Sequence, residues 1–291
     1  MSYQPRRPPH AERHRLRDLE FQFYRWPGQT EPPLICLHGW GDTAETWQFI
    51  VDFLPQRHSL IAFDARGFGR TQWPHEGYWF PDYLADLDAV LDLVAPHQPI
   101  DLMGHSMGAN VALMYAGIRP QRIRRLIALE GLGLPRTSPV QAPAHYRSWL
   151  DELHEEVGYA TYDSYEQFAR VLARRNPRTP PERLDYIVRA WATQHPGGRV
   201  ELRADPRHKR RNPMLYQRDQ AEACWREIAA PVLFVTGAES ESVRRLQAEL
   251  SPEKLDGLFS ILTTVSVADA GHMLHHEQPR AVAELIRDFL R

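Results

Sequence analysis

Cysteine is scarce in this chain: Cys36 and Cys224 are the only two in 291 residues. Two thiols cannot build a disulfide framework. Cys36 falls in an apolar, strand-like run and Cys224 on the apolar side of a helix-like one, so both read as packing residues. Lysine is just as rare, with Lys209 and Lys254 alone among 35 basic residues. These face 37 acidic residues for a formal net charge of -2, and no basic stripe emerges. A balanced surface of this kind gives no field to gather nucleic acid or an anionic membrane. No apolar run is long enough to span a bilayer. The stretch from Pro5 to Asp18 is rich in proline, arginine and histidine and lacks the apolar segment of a signal peptide, so a cytoplasmic protein is expected. Repeats and low-complexity tracts are missing too, and nothing in the pattern indicates an oligomeric state.

What is present is the composition of an ordinary globular chain, 43% hydrophobic and 25% charged, long enough for one α/β unit with an insertion. Leu19, Phe21 and Phe23 alternate like an edge strand after a frayed N-terminus. Leu34–Leu37, Leu60–Phe63, Ile100–Met103 and Leu126–Leu129 are short, continuous apolar runs, as buried parallel strands require. Tyr83, Leu87, Val90, Leu91 and Val94 recur at helical spacing between two of them. The rhythm returns with strands at Val232–Val235 and Thr264–Val267 and a final helix marked by Val282, Leu285, Ile286, Phe289 and Leu290.

From Gly133 to about Ile228 the alternation gives way to helices joined by prolines. Their apolar stripes are Tyr146, Trp149, Leu150 and Leu153; Leu184, Ile187, Val188 and Trp191; and Ala221, Cys224, Trp225 and Ile228. Thr179 and Glu182 have the spacing of a capping box at the start of the second of these helices. The expectation is an α/β core of residues 1–133 and 229–291, with a mostly parallel sheet covered by helices on both faces. Residues 134–228 would form a helical cap inserted after the strand that ends at Leu129.

The chemistry concentrates at Gly104-His105-Ser106-Met107-Gly108, a G-x-S-x-G pentapeptide between a strand-like run and a helix-forming one. Glycines there let strand and helix approach around a sharp turn that projects the serine hydroxyl. A serine hydroxyl needs a base to take its proton and an acid to orient that base. His272, on the loop between the last strand and the final helix, is the candidate base. The reaction also needs backbone donors for a developing oxyanion. The amides of Trp40, after the strand Leu34–Leu37, and of Met107 are the candidates, with His38 holding the first loop in place. His275 and His276 belong to an H-x-x-H-H-E string, which matches neither common zinc helix, H-E-x-x-H or H-x-x-E-H, so no metal and no cofactor is expected.

Four motifs, taken together, resemble the α/β-hydrolase fold superfamily in its serine-nucleophile branch. They are His38-Gly39-Trp40-Gly41, Asp64-Ala65-Arg66-Gly67-Phe68-Gly69-Arg70-Thr71, the pentapeptide around Ser106, and Gly271-His272-Met273. Leu129–Pro135 and Ala204–Lys209 are further similar to bacterial serine-hydrolase-like proteins. The resemblance implies the α/β-hydrolase fold with its cap after the sixth strand, and a cofactor-independent hydrolase of carboxylic esters. Lactone, thioester or carbon–carbon bond cleavage by the same residues, or a catalytically silent ligand-binding protein, are the alternatives. Asp64 and Arg66 are expected to brace the oxyanion loop.

The family most often places its acid where this chain has Ser240. Glu239 and Glu241 flank that position, and Glu130, at the end of the strand after the nucleophile helix, is the third candidate. Glu130 is preferred because a carboxylate capping an apolar run is expected to be buried and to need a partner such as His272. Leu132, Trp149 and Met273, with Trp40 and Met107, are expected to wall a mostly apolar pocket for a small ester-like substrate.

Overall fold

The structure, a computed structural model, describes residues 3–255 and 257–291. Its sheet begins where the sequence pattern is weakest. Strand β1 (His10–Leu16) runs antiparallel to β2 (Leu19–Trp26), and Leu16 lies opposite Leu19 across a two-residue loop. Arg17 and Asp18 both take positive φ, 45° and 65°, as the tight hairpin turns that match strand twist require. This corrects two expectations. From His10 onward the segment expected to fray is a paired strand, and β2 is not the edge: β1 is outermost, and β2 is buried on both faces, with Gln22 and Tyr24 covered as well as Phe21 and Phe23. The residues of β1 alternate only between exposed and half-buried, so backbone pairing makes it a strand and no apolar stripe betrays it.

The remaining strands of the main sheet are β3 (Leu34–Leu37), β4 (Leu60–Phe63), β5 (Ile100–His105), β6 (Ile123–Leu129), β9 (Val232–Gly237) and β10 (Leu262–Val267). Strands β7 (Ala192–Gln194) and β8 (Val200–Leu202) form a separate small hairpin that the sequence pattern does not announce. The eight strands lie in the order β1-β2-β4-β3-β5-β6-β9-β10, and from β4 onward neighbours are parallel. Strands β3 and β4 are buried along their whole length, which is why they read as unbroken apolar runs.

Helices cover both faces. On one, α1 (Phe80–Val94) and α2 (Met107–Ile118) pack their apolar sides against the sheet around Leu87, Val90, Val111 and Leu113. Between β6 and β9 the chain makes α3 (Ala142–Glu152), α4 (Tyr165–Arg175), α5 (Pro181–Trp191) and α6 (Arg218–Arg226). Ala221 and Trp225 bring α6 into the core of the first face. The opposite face carries Trp47, Ile50 and Val51 with α7 (Pro279–Phe289), whose Val282, Ala283 and Ile286 are buried. Helices α4 and α5 share a separate apolar cluster, in which Phe168, Leu172, Leu184 and Ile187 meet Phe49 and the hairpin residue Val200.

Two expectations fail within this insertion. Thr179 does not cap α5: the N-cap is Pro180, and the Thr179 hydroxyl is buried with no hydrogen-bond partner among the described residues. The two consecutive prolines fix the helix start one residue later than the capping box needs, so the hydroxyl faces no free amide. The Tyr146, Trp149, Leu150 and Leu153 stripe is not a core face either, for no residue of α3 is buried: Trp149 is half-buried and Leu150 is 52% exposed.

Parallel strands all release their loops at one edge. Ser106 follows β5, Glu130 follows β6 and His272 lies beyond β10, so three residues far apart in sequence emerge along the edge where α/β sheets commonly bind ligands.

Candidate active site

Ser106 sits between β5 and α2 with φ 50° and ψ -111°, a backbone state costing a non-glycine residue on the order of 1–3 kcal/mol. Close packing holds it there. A Cβ on Gly104 would lie 2.3 Å from the Gly108 carbonyl oxygen, and one on Gly108 would lie 2.4 Å from that of Leu37. Only glycine lets the strand, the turn and β3 touch in this way. The serine hydroxyl meets His272 Nε2 at 3.0 Å.

Behind the imidazole, Nδ1 of His272 is 2.9 Å from Glu130 Oε2. Since Nδ1–H donates to the carboxylate, Nε2 is left to accept from the serine. Glu130 is itself in a left-handed conformation, φ 57°, and its buried carboxylate accepts from the amide of Gly237 at 2.6 Å and from the Ser240 hydroxyl. Three donors offset the cost of burying the charge. The other two acids turn elsewhere. Glu239 pairs with Arg178 and Glu241 with Arg245 of its own helical turn. Ser240, Gly237 and the donors they supply escape a sequence search for acids, although the serine standing where an acid was expected is itself a signal.

The loop after β3 is fixed from several directions. Ala65 N–H donates to His38 Nε2 at 2.8 Å, so His38 Nδ1–H donates to the Gly39 carbonyl at 2.7 Å. Asp64 accepts from the amides of Ala44 and Arg70, both at 2.8 Å. Arg66 forms a two-pronged pair with Asp86 of α1, at 2.6 Å on each prong. Among the described residues, neither the Trp40 nor the Met107 amide has a protein acceptor. Both are therefore available as donors.

A second buried polar cluster underlies the site. Asp42 accepts from Thr43 N, Thr46 Oγ1 and Trp191 Nε1 at 2.8, 2.9 and 2.7 Å, and lies 3.1 Å from His275 Nε2 and 3.5 Å from His276 Nε2. The three ligand-type atoms of Asp42, His275 and His276 fall within 4.8 Å of one another. Hydrogen bonding accounts for the arrangement. Burial opposes ionisation of Asp42, yet the charge of His276 and the hydrogen bond from His275 hold its carboxyl well below the usual range. Burial, followed by the charge of His276, pushes His275 down to about 4 despite Asp42. His105, driven well below its ordinary value by burial and then by His275 and His272, donates Nε2–H to the His272 carbonyl at 2.8 Å. These residues tie the loop after β3 to the loop that carries His272, and the sequence motifs did not single out Asp42 or His105.

The expected pocket walls divide. Leu132 is 1% exposed and packs in the core beneath α2 and α6, so it presents no surface to a ligand. Trp149 and Met273 are half-buried, and Trp40 is 51% exposed. Trp40 also borders a cavity of about 450 Å³ between the loop after β3 and the helical insertion, reaching Tyr162, Phe168 and Leu172.

Sheet order, the G-x-S-x-G turn and a histidine beyond the last strand together define an α/β hydrolase. The chain belongs to the alpha/beta hydrolase fold family, which matches residues 32–279. It is similar to a serine hydrolase-like protein of Danio rerio, 25% identical over 91% of this chain and 83% of that one. It is also similar to the 2-(acetamidomethylene)succinate hydrolase of Mesorhizobium japonicum, 24% identical over 89% of this chain and 88% of the relative. Among solved structures, the thioesterase domain from the curacin biosynthetic pathway superposes with a TM-score of 0.81 at 25% identity, over 96% of this chain and 98% of that domain. Among the described residues no helix is long and apolar enough to cross a membrane.

Proposed function

We propose that this hydrolase cleaves carboxylic esters through an acyl-enzyme formed on Ser106. The observation that carries the reading is the continuous relay from Ser106 Oγ to His272 Nε2 and from His272 Nδ1 to Glu130, with contacts of 3.0 and 2.9 Å. In this mechanism Ser106 attacks the ester carbonyl as its proton passes to His272 Nε2. Glu130 keeps the ring in the tautomer that can accept and offsets the imidazolium charge. The amides of Trp40 and Met107 donate to the oxyanion. Collapse breaks the bond to the alkoxy group, which leaves with the proton from His272, and water repeats the sequence to release the acid. Residues 134–228 serve as the cap over this site, and Trp149 and Met273 remain available as its walls.

A thioester in place of the ester is a second reading, supported by the likeness to a thioesterase domain; the steps are the same, with a thiol leaving. A silent binding protein is disfavoured, because a buried carboxylate aimed at the imidazole and held by three donors has no need to be there for binding alone. The test is Ser106→Ala with a short-chain p-nitrophenyl ester. Turnover should fall to background, on the order of a millionfold below wild type, and a fluorophosphonate should add one label to the wild-type mass and none to the variant. Undiminished turnover in the variant would remove Ser106 from the chemistry.

A further inference from the structure

The cavity beside Trp40 is aromatic and aliphatic over most of its wall, through Tyr162, Phe168 and Leu172, but Arg175, Arg203 and Lys209 also line it. None of these three cations has a carboxylate within ion-pairing distance among the described residues, whereas the buried arginines Arg66 and Arg218 both do. Lys209 lies over the ring of Tyr159 at 4.6 Å and donates to the Gly158 carbonyl. Arg203 spends Nε on the Thr193 hydroxyl and Nη1 on the carbonyls of Arg189 and Ala190, at 2.8, 2.9 and 3.1 Å, leaving Nη2 with no acceptor among the described residues. Arg175 ends α4 at the same cavity.

The single acid on the wall, Asp42, forms no ion pair with any of the three: it faces His275 and His276 and accepts from Thr43, Thr46 and Trp191. Burial and then the charge of Arg70 push the Arg203 guanidinium below its ordinary value, with Glu45 only partly offsetting them. An anion beside these cations would relieve that cost, and an apolar chain leading to it would fill the rest. In a protein of net charge -2, three uncompensated cations around one cavity are a local feature and no reflection of the whole.

We infer that this cavity seats the far end of the substrate, an apolar acyl chain that terminates in a carboxylate held by Arg175, Arg203 and Lys209. The inference rests on the ester-hydrolase reading, and it changes the expected substrate from an apolar ester to a half-ester of a dicarboxylic acid. Trp40 connects the two regions, since its amide is the proposed oxyanion donor and the residue lines the cavity.

The experiment compares p-nitrophenyl pentanoate with mono-p-nitrophenyl glutarate, whose acyl chains have equal carbon number, on wild type and on the Arg175→Gln/Lys209→Gln variant. Both altered residues are exposed, so the fold should survive. Wild type should favour the glutarate ester in kcat/KM by about tenfold or more, the scale of one charge-assisted hydrogen bond. The double variant should lose that preference through a raised KM while keeping its rate on pentanoate. Alongside, free glutarate should raise the Tm of Ser106→Ala more than pentanoate or inorganic phosphate does, and the two cation changes should abolish the rise. Equal use of both esters by wild type, a preference that survives in the double variant, or a stronger effect of phosphate than of glutarate would each overturn the carboxylate site. Failure to turn over either ester, with the selective glutarate stabilisation intact, would instead count against ester hydrolysis and leave the site standing.

Discussion

Ser240 donates its hydroxyl to Glu130 Oε2 at 2.5 Å, the same carboxylate oxygen that faces His272 Nδ1 at 2.9 Å. One buried oxygen thus holds both the imidazole and the serine that stands where the family most often has its acid. Ser240 is 1% exposed, so its proposed part is to position Glu130. Ser240→Ala should lower kcat about tenfold with KM little changed, since one hydrogen bond to a charged acceptor contributes ~1.5–3 kcal/mol. Ser240→Thr keeps a hydroxyl donor and should recover most of that rate. A Ser240→Thr enzyme as slow as Ser240→Ala would reduce Ser240 to a packing residue.

The three candidate acids separate by their partners. Glu130→Gln should cost about a thousandfold or more in kcat, by analogy with triads that lose their acid. Glu239→Gln and Glu241→Gln should stay within about threefold, because the first is held by Arg178 and the second is largely exposed beside Arg245. A carboxylate placed at position 240 would approach the same imidazole from the family's usual side. Adding Ser240→Asp to Glu130→Gln should recover at least tenfold of the loss. Kinetics on p-nitrophenyl esters measure all four variants, and a Glu239→Gln enzyme as impaired as Glu130→Gln would reassign the acid.

The legibility of this chain followed burial and covalent locality. Strands β3 to β6 were readable because both their faces are covered and their residues had to be apolar; β1 was not, because it lies at the edge and needs only its neighbour's backbone. Ser106 and His272 could be expected to meet because the proposed chemistry demands particular residue types next to glycines that the turn needs. Glu130 could be ranked but not fixed, for its partners Gly237 and Ser240 are more than a hundred residues away. The same distance hid Asp42, whose contacts with Trp191 and His275 exist only once the insertion and the final loop have folded back over β3.

The buried histidines should make the fold acid-labile. Burial and the charge of His276 lower His275 from its ordinary 6.5 to about 4, and His105 is lowered in the same direction. Between those pH values the unfolded chain takes a proton that the folded one refuses. By linkage, stability is full above pH 6.5 and is lost as pH falls toward 4. A displacement of that size in one histidine corresponds to ~3 kcal/mol, or a Tm lower by roughly 5 °C or more in a domain of this size. Thermal unfolding from pH 7.5 to 4.5 should show the decline. His275→Gln keeps a donor for Asp42 and should flatten it, so an unchanged slope in that variant would place the acid sensitivity elsewhere.

Gly108 tests whether close backbone approach, and not turn flexibility, builds the nucleophile site. Its φ is not positive, so alanine has no conformational objection there, but a Cβ would meet the carbonyl oxygens of Leu37 and His38 at 2.4 and 2.6 Å. Those atoms belong to β3 and the start of the loop that carries Trp40, and they cannot swing aside as a side chain would. Gly41 offers the opposite case: φ is 77° and nothing lies within 4 Å of a Cβ, so alanine there costs only backbone strain, ~1–2 kcal/mol. Overpacking at Gly108 should cost ~3 kcal/mol or more. Any folded Gly108→Ala protein should also turn over slowly, because the separation of α2 from β3 moves the Met107 amide away from that of Trp40. Urea unfolding of both variants provides the comparison, and a Gly108→Ala protein as stable and as active as Gly41→Ala would show that β3 and α2 have room to spare.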